Sequence, residues 1–146
     1  MADSLDDEMR QRFADARVAR LSSVTRDARP HIVPIVFAVN DDTLVTCVDH
    51  KPKRTNRLRR LANIGENPYV AVLVDHYAEN WDELWWVRVD GRAEVVDASE
   101  PRGRHGIDVL ADKYEHYRRR RRPDGPVIIV GDLHWHSWSE RPSPAG

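Results

Sequence analysis

The sequence predicts a mainly β fold: a small antiparallel barrel of six or so strands with two to three helices against it. Three observations carry that expectation. Short apolar runs divided by turn residues fill the chain from residue 18 to residue 48; one run, Leu84 to Val96, alternates along its length; and a last run, Val127 to about Ser139, returns after a helical stretch. At 146 residues the chain suits one domain, burying roughly 70% of the surface its unfolded form exposes. Residues 1–140 are expected to form it and residues 141–146 a disordered tail.

The elements follow in order. Ser4 with Asp7 is a helix-start signal, and Leu5, Met9, Phe13 and Ala16 recur at helical spacing, so a short amphipathic helix opens the chain. Val18–Val24, His31–Val39 and Leu44–Val48, divided by Arg26–Arg29 and Asn40–Asp42, read as a three-strand meander. Pro30 and Pro34 mark the second strand as an edge or a bulged strand, because proline cannot donate to a ladder. Arg54 to Ile64 reads as a helix stopped by Gly65 and Asn67-Pro68, with Arg54, Leu58, Leu61 and Ala62 on its buried face and Arg59 and Arg60 pointing to solvent.

Tyr69–Tyr77 and Leu84–Val96 are the next strands. In the latter, Trp85, Val87, Val89, Gly91, Ala93 and Val95 face one side, the expected core, and Trp86, Arg88, Asp90, Arg92 and Glu94 the other. A tryptophan beside an arginine on the outer face suits a subunit interface or the wall of an aromatic-ligand site. Ser99 and Pro101 start a helix that runs to about Tyr117, weakened by Gly103 and Gly106, and the Val127 strand closes the chain.

Composition excludes several classes. A formal charge of −1 argues against a dedicated nucleic-acid binder, which carries a basic face. No window approaches the ~18 apolar residues of a membrane span, and the acidic start MADSLDDEM resembles no secretory signal. No membrane association is expected, and the expected location is the cytoplasm. The single cysteine, Cys47, lies inside an apolar strand and reads as a small buried hydrophobe. Nucleotide loops of the GxGxxG or GxxxxGK kind, GxSxG elbows and paired CxxC motifs are absent. His134 and His136 share a strand face but lack an evident third ligand, so no metal is expected. The run Arg118–Arg122 reads as a solvated helix end that complements the helix dipole.

One cluster points to chemistry. Lysine is rare, at Lys51, Lys53 and Lys113, yet two of the three stand in Lys51-Pro52-Lys53-Arg54, between a strand and a helix start. A helix start presents unpaired N–H groups and the positive end of its dipole, which favours phosphate. Each charge-assisted hydrogen bond from Lys or Arg adds roughly 1.5–3 kcal/mol where water is partly excluded. Trp81, Trp85 and Trp86 stand close in sequence and suit stacking on a planar ligand or an interface.

These features, in this order, resemble the pyridoxamine-phosphate-oxidase-like split β-barrel family, an FMN-binding-protein-like fold, and within it the PPOX-class F420-dependent branch. The resemblance is carried by Val18–Val24, Arg29–Phe37, Lys51–Arg54, Leu58–Ile64 with Asn67-Pro68, and Leu84–Ala93, most specifically by the block from Lys51 to Gly91. It implies a homodimer with two equivalent cofactor sites at the subunit interface. Pro34, Ile35, Val36 and Phe37 would flank a tricyclic ring, with Thr46, Cys47 and Val48 opposite, largely through backbone. Lys51, Lys53 and Arg54, with Arg57 as a further candidate, would bind the cofactor phosphate. Trp86, Arg88 and Trp138 would reach across the interface.

The chain departs from the compact lysine-to-asparagine-leucine pattern of many flavin-binding members in its extra basic residues and the longer spacing from Lys53 to Asn63. No catalytic side chain is evident. The resemblance therefore implies an F420-dependent oxidoreductase that passes hydride between the deazaflavin and a small planar, conjugated acceptor. An FMN-binding oxidase or reductase, and a non-enzymatic flavin or tetrapyrrole binder, are the alternatives.

Overall fold

The computed structural model describes residues 4–48 and 55–140, and the side chains of residues 7–48 and 59–140. Helix α1 (Ser4–Asp15) leads into strands β1 (Ala19–Val24), β2 (Pro30–Ile35), β3 (Ala38–Asn40) and β4 (Thr43–Cys47). Helix α2 (Thr55–Glu66), strands β5 (Tyr69–His76) and β6 (Trp85–Val96), helices α3 (Pro101–Lys113) and α4 (Glu115–Arg119), and strand β7 (Val127–Ser139) complete it. One antiparallel seven-stranded sheet runs in the order β2-β1-β5-β6-β7-β4-β3. Its two outermost strands, β2 and β3, are consecutive in the chain, so the sheet rolls on itself into a split barrel.

The predicted strand His31–Val39 is thus two strands. Val36 and Phe37 sit between them, outside both ladders, where the chain turns from one end of the sheet to the other. Pro30 and Pro34 fall on β2, an outermost strand, as the missing N–H requires. The predicted helix to Tyr117 also divides, because Tyr114 adopts an extended backbone between α3 and α4. Gly103 is buried against Asp97, where a Cβ would run into the Asp97 carbonyl, so the close approach requires glycine in α3.

Two cores flank the sheet. Inside the barrel, Leu21, Val72, Val89, Leu44 and Val130 pack with Phe13 and Met9 of α1. On the outer side of β4 and β7, Val45, Cys47, Val127 and Ile129 pack under Ile107, Leu110 and Tyr117 of α3 and α4. Alternation on β7 changes phase at a bulge: the register passes from Arg92↔Gly131 to Asp90↔His134, so Asp132 and Leu133 together oppose Gly91. Asp132 takes up the extra residue at φ 54°. Ile128 and Val130 before the bulge, and Leu133 and Trp135 after it, therefore all face inward. A Cβ on Gly91 would lie 2.5 Å from Val130 Cγ1 and 2.8 Å from the Gly131 carbonyl, so the bulge needs glycine opposite it. Val95 keeps the inward phase through its partner Ile128, yet it is 41% exposed, and Val96 is buried instead in the outer core.

Candidate cofactor site

The corner between β2 and β3 meets β4 along one seam. Thr46 Oγ1 donates to the Val36 carbonyl at 2.7 Å, tying the first predicted cofactor segment to the second. Ile35 and Phe37 are buried in the barrel core, and Phe37 packs edge-on against Phe13 with ring centroids 5.1 Å apart. Cys47 faces the outer core beneath α3 and Val48 is buried. Pro34 is exposed and Val36 half-buried. The seam therefore offers a ligand chiefly its backbone.

The tip of α3 closes this corner. Lys113 Nζ donates to the carbonyls of Ala16 at 2.7 Å and Phe37 at 3.0 Å and sits 4.0 Å from the centre of the Phe37 ring. Burial, then the positive charge of Arg17, lowers its pKa from the ordinary 10.5 to about 8, and Asp15 offsets this in part. The unfolded chain thus holds a proton between about 8 and 10.5 that the folded chain has released. This residue's contribution to stability is lost as pH falls through 8 and is complete above 10.5. Wild-type protein should accordingly gain on a Lys113→Met variant in urea midpoint as pH rises from about 7.5 to 10. A constant difference between the two midpoints would contradict the shift.

On the phosphate side, Lys51, Lys53 and Arg54 lie outside the described residues, and Arg57 lies on α2 with its side chain outside them. Arg60 is the residue that sequence reasoning missed. The expected face of α2 is rotated: Ala62 is exposed, Asn63 and Ile64 are buried, and Arg60 is half-buried with them. Asn63 Nδ2 donates to the buried Ser23 hydroxyl at 3.1 Å, which fixes that rotation. Arg60, three residues before Asn63, shares its face. Its Nε is buried and finds no hydrogen-bond partner among the described residues, and burial holds the guanidinium below its ordinary pKa, partly offset by Cys47. A desolvated cation with an unused donor fits an anion. The signal for it was Asn63, a polar residue whose burial turns α2.

Trp86, Arg88 and Trp138 come together elsewhere. Trp86 pairs with Trp138 and Arg88 with His136 on the outer face of β6 and β7. Arg88 grips Asp90 through Nε at 2.8 Å and Nη2 at 3.1 Å, and His136 Nε2 stands 3.3 Å from the same carboxylate. Trp138 and Val127, the latter paired with Cys47, lie near opposite ends of β7, and Arg88 stands three strands from Pro34 along one sheet row, roughly 15 Å. Within one chain these residues and the seam do not meet. The three clustered tryptophans also diverge: Trp81 is exposed, Trp85 packs against the barrel core beneath Arg12, and Trp86 faces outward.

Other features are accounted for structurally. Among the described residues no group of His, Cys, Asp and Glu could hold a metal. In the arginine run, Arg118 caps the Ala111 and Asp112 carbonyls, and Arg119 and Arg122 pair with Glu115 and Asp108. A cleft of about 760 Å³ between α1 and the β3–β4 turn is lined, among the described residues, by Asp7, Asp41, Asp42 and Asp132 against the one cation Arg10, a net negative wall that disfavours phosphate. No helix among the described residues is long and apolar enough to cross a membrane.

Residues 5–135 match the family model described as pyridoxamine 5'-phosphate oxidase. No curated protein matches the sequence. Among solved structures, a conserved hypothetical protein of Mycobacterium tuberculosis aligns with TM-score 0.70 at 19% identity, over 97% of this chain and 87% of that one. The heme storage protein HutZ of Vibrio cholerae aligns with TM-score 0.69 at 14% identity, over 92% and 94%. An FAD-binding protein of Mesorhizobium loti aligns with TM-score 0.63 at 21% identity, over 93% and 94%. At these identities the likenesses establish the fold.

Proposed function

The chain belongs to the pyridoxamine 5'-phosphate oxidase family, and from that membership we infer an F420-dependent oxidoreductase acting on a small conjugated acceptor at a homodimer interface. The observation that carries the reading is Arg60, a half-buried guanidinium whose Nε has no partner among the described residues, on the helix that follows Lys51-Pro52-Lys53-Arg54. These cations would hold the cofactor phosphate, while the Pro34–Phe37 and Thr46–Val48 backbone would flank the ring. F420 supplies the hydride chemistry when bound. The protein's part is to orient two planar molecules face to face and to exclude water from between them.

The outer sheet face is where a partner copy would dock. Ile32 is 62%, Tyr69 63% and Trp138 42% exposed there, beside Trp86 and Leu73. These apolar side chains stand among Arg20, Arg88, Asp90 and His136, a mixed face of the kind that protein interfaces carry. A second copy laid on it would bring its Trp86, Arg88 and Trp138 to a seam that one chain cannot supply with them. Light scattering should report a dimer at micromolar concentration. Leu73 lies between Arg20 and Arg88 in the cross-strand register, so Leu73→Arg would bury a third like charge and should weaken the dimer at least a hundredfold. A wild-type monomer would reject the interface.

The FAD-binding protein of Mesorhizobium loti, of the same fold, supports a second reading in which the ligand is a flavin, FMN above all, and the heme storage protein HutZ a third, in which the site binds a tetrapyrrole without turnover. Titrating the protein with F420, FMN and haem side by side, then screening conjugated acceptors for oxidation of reduced F420, separates the three. Saturable F420 binding with acceptor-dependent oxidation is expected. FMN or haem binding without response to F420 would overturn the leading reading.

A further inference from the structure

We propose that Lys113 and Tyr114, at the end of α3, are positioning residues for the cofactor, because they hold the Val36–Phe37 corner in place; the role rests on the cofactor reading above. The corner lies between two strands, so the Phe37 peptide has no ladder partner, and buried backbone N–H and C=O groups need one. Two adjacent side chains, distant in sequence, supply it. Phe37 N–H donates to the Tyr114 hydroxyl oxygen at 3.1 Å, and Lys113 Nζ donates to the Phe37 carbonyl at 3.0 Å.

The Tyr114 hydroxyl stands 3.0 Å from both the Phe37 and the Arg17 carbonyls and has one proton to give. With Lys113 on the Phe37 carbonyl, that proton goes to Arg17, and every group in the cluster is satisfied. Lys113 also takes the Ala16 carbonyl, and the Arg17 guanidinium lies over the Tyr114 ring at 4.6 Å. Thr46 holds the preceding carbonyl, that of Val36. The Val36 carbonyl and both polar groups of Phe37 are therefore fixed by side chains and by no strand. Where the seam stands is decided by the tip of α3, which adds no atom to the seam's own backbone.

The test pairs a local with a functional readout. Tyr114→Phe deletes one oxygen, Lys113→Met removes the donor, and Lys113→Arg keeps a cationic donor. Amide exchange measured by NMR on the cofactor-free chain should be at least tenfold faster at Phe37 in the first two variants, with Val72 and Val89 protected as in wild type. Affinity for whichever of F420 and FMN the wild type binds should fall five- to tenfold in both, and Lys113→Arg should recover most of it. Faster exchange with unchanged affinity would make the cluster a purely structural clasp and overturn the proposal, as would unchanged exchange. A wild type that binds neither cofactor would remove the reading beneath it, and is told apart because the titration then fails before any substitution is made.

Discussion

Alanine at Lys53 and Arg54 together is expected to weaken cofactor binding at least tenfold, and adding Arg60→Ala is expected to bring the loss to a hundredfold or more. The reasoning is additive in kind though not in detail. Each cation gives a phosphate a charge-assisted hydrogen bond of roughly 1.5–3 kcal/mol, and about 1.4 kcal/mol is one factor of ten. Arg60 should be the costliest single loss, because its guanidinium is already partly desolvated and its buried Nε has no hydrogen-bond partner among the described residues. The fold should tolerate the change, since Arg60 Nε makes no hydrogen bond to lose among the described residues. Tryptophan-fluorescence titration measures the affinity, and thermal melting checks that the variants stay folded. A triple variant that is folded and binds F420 and FMN as wild type does would move the phosphate away from α2 altogether.

Phe37→Ala is expected to cost about 3–5 kcal/mol of stability, lowering the melting temperature by roughly 10–15 °C for a chain of this size. The Phe37 ring is fully buried, meets Phe13 edge-on at 5.1 Å and carries the Lys113 ammonium 4.0 Å from its centre. Truncation would leave a cavity in the barrel and remove the ring's face from a half-buried cation. The Phe37 carbonyl's bond from Lys113 and the Phe37 N–H's bond to the Tyr114 hydroxyl would remain available, so the corner itself should stay in place while the core around it loosens. Urea unfolding gives the number, and a loss under about 1.5 kcal/mol would mean that the site collapses around the missing ring.

Element order, the inward face of β6 and the edge position of the proline-bearing strand were legible because each is written in local periodicity or in the missing N–H of proline. The strand split at Val36–Phe37 was not. Residues 31–39 read as one apolar run, and the turn there has no glycine to mark it, its polar groups being satisfied by Lys113 and Tyr114 from far along the chain. The face of α2 was misjudged for a related reason. Leu58 and Ala62 set the expected stripe, but the hydrogen bond from Asn63 to Ser23 turns the helix so that Ala62 is exposed and Arg60 is drawn inward.

Fold class, element order and the basic segment before α2 can be read along the chain alone, because hydrophobic period, turn chemistry and charge are properties of neighbouring residues. Which residues meet is settled by long-range packing. The bulge opposite Gly91 keeps Trp135 inward and turns His136 and Trp138 outward. Closure of the sheet brings Val36 to Thr46, and the tip of α3 supplies the partners that the corner lacks. Those contacts join residues distant along the chain, and a hydrogen bond or a packed ring across such a distance leaves no periodic trace in the segments that it joins.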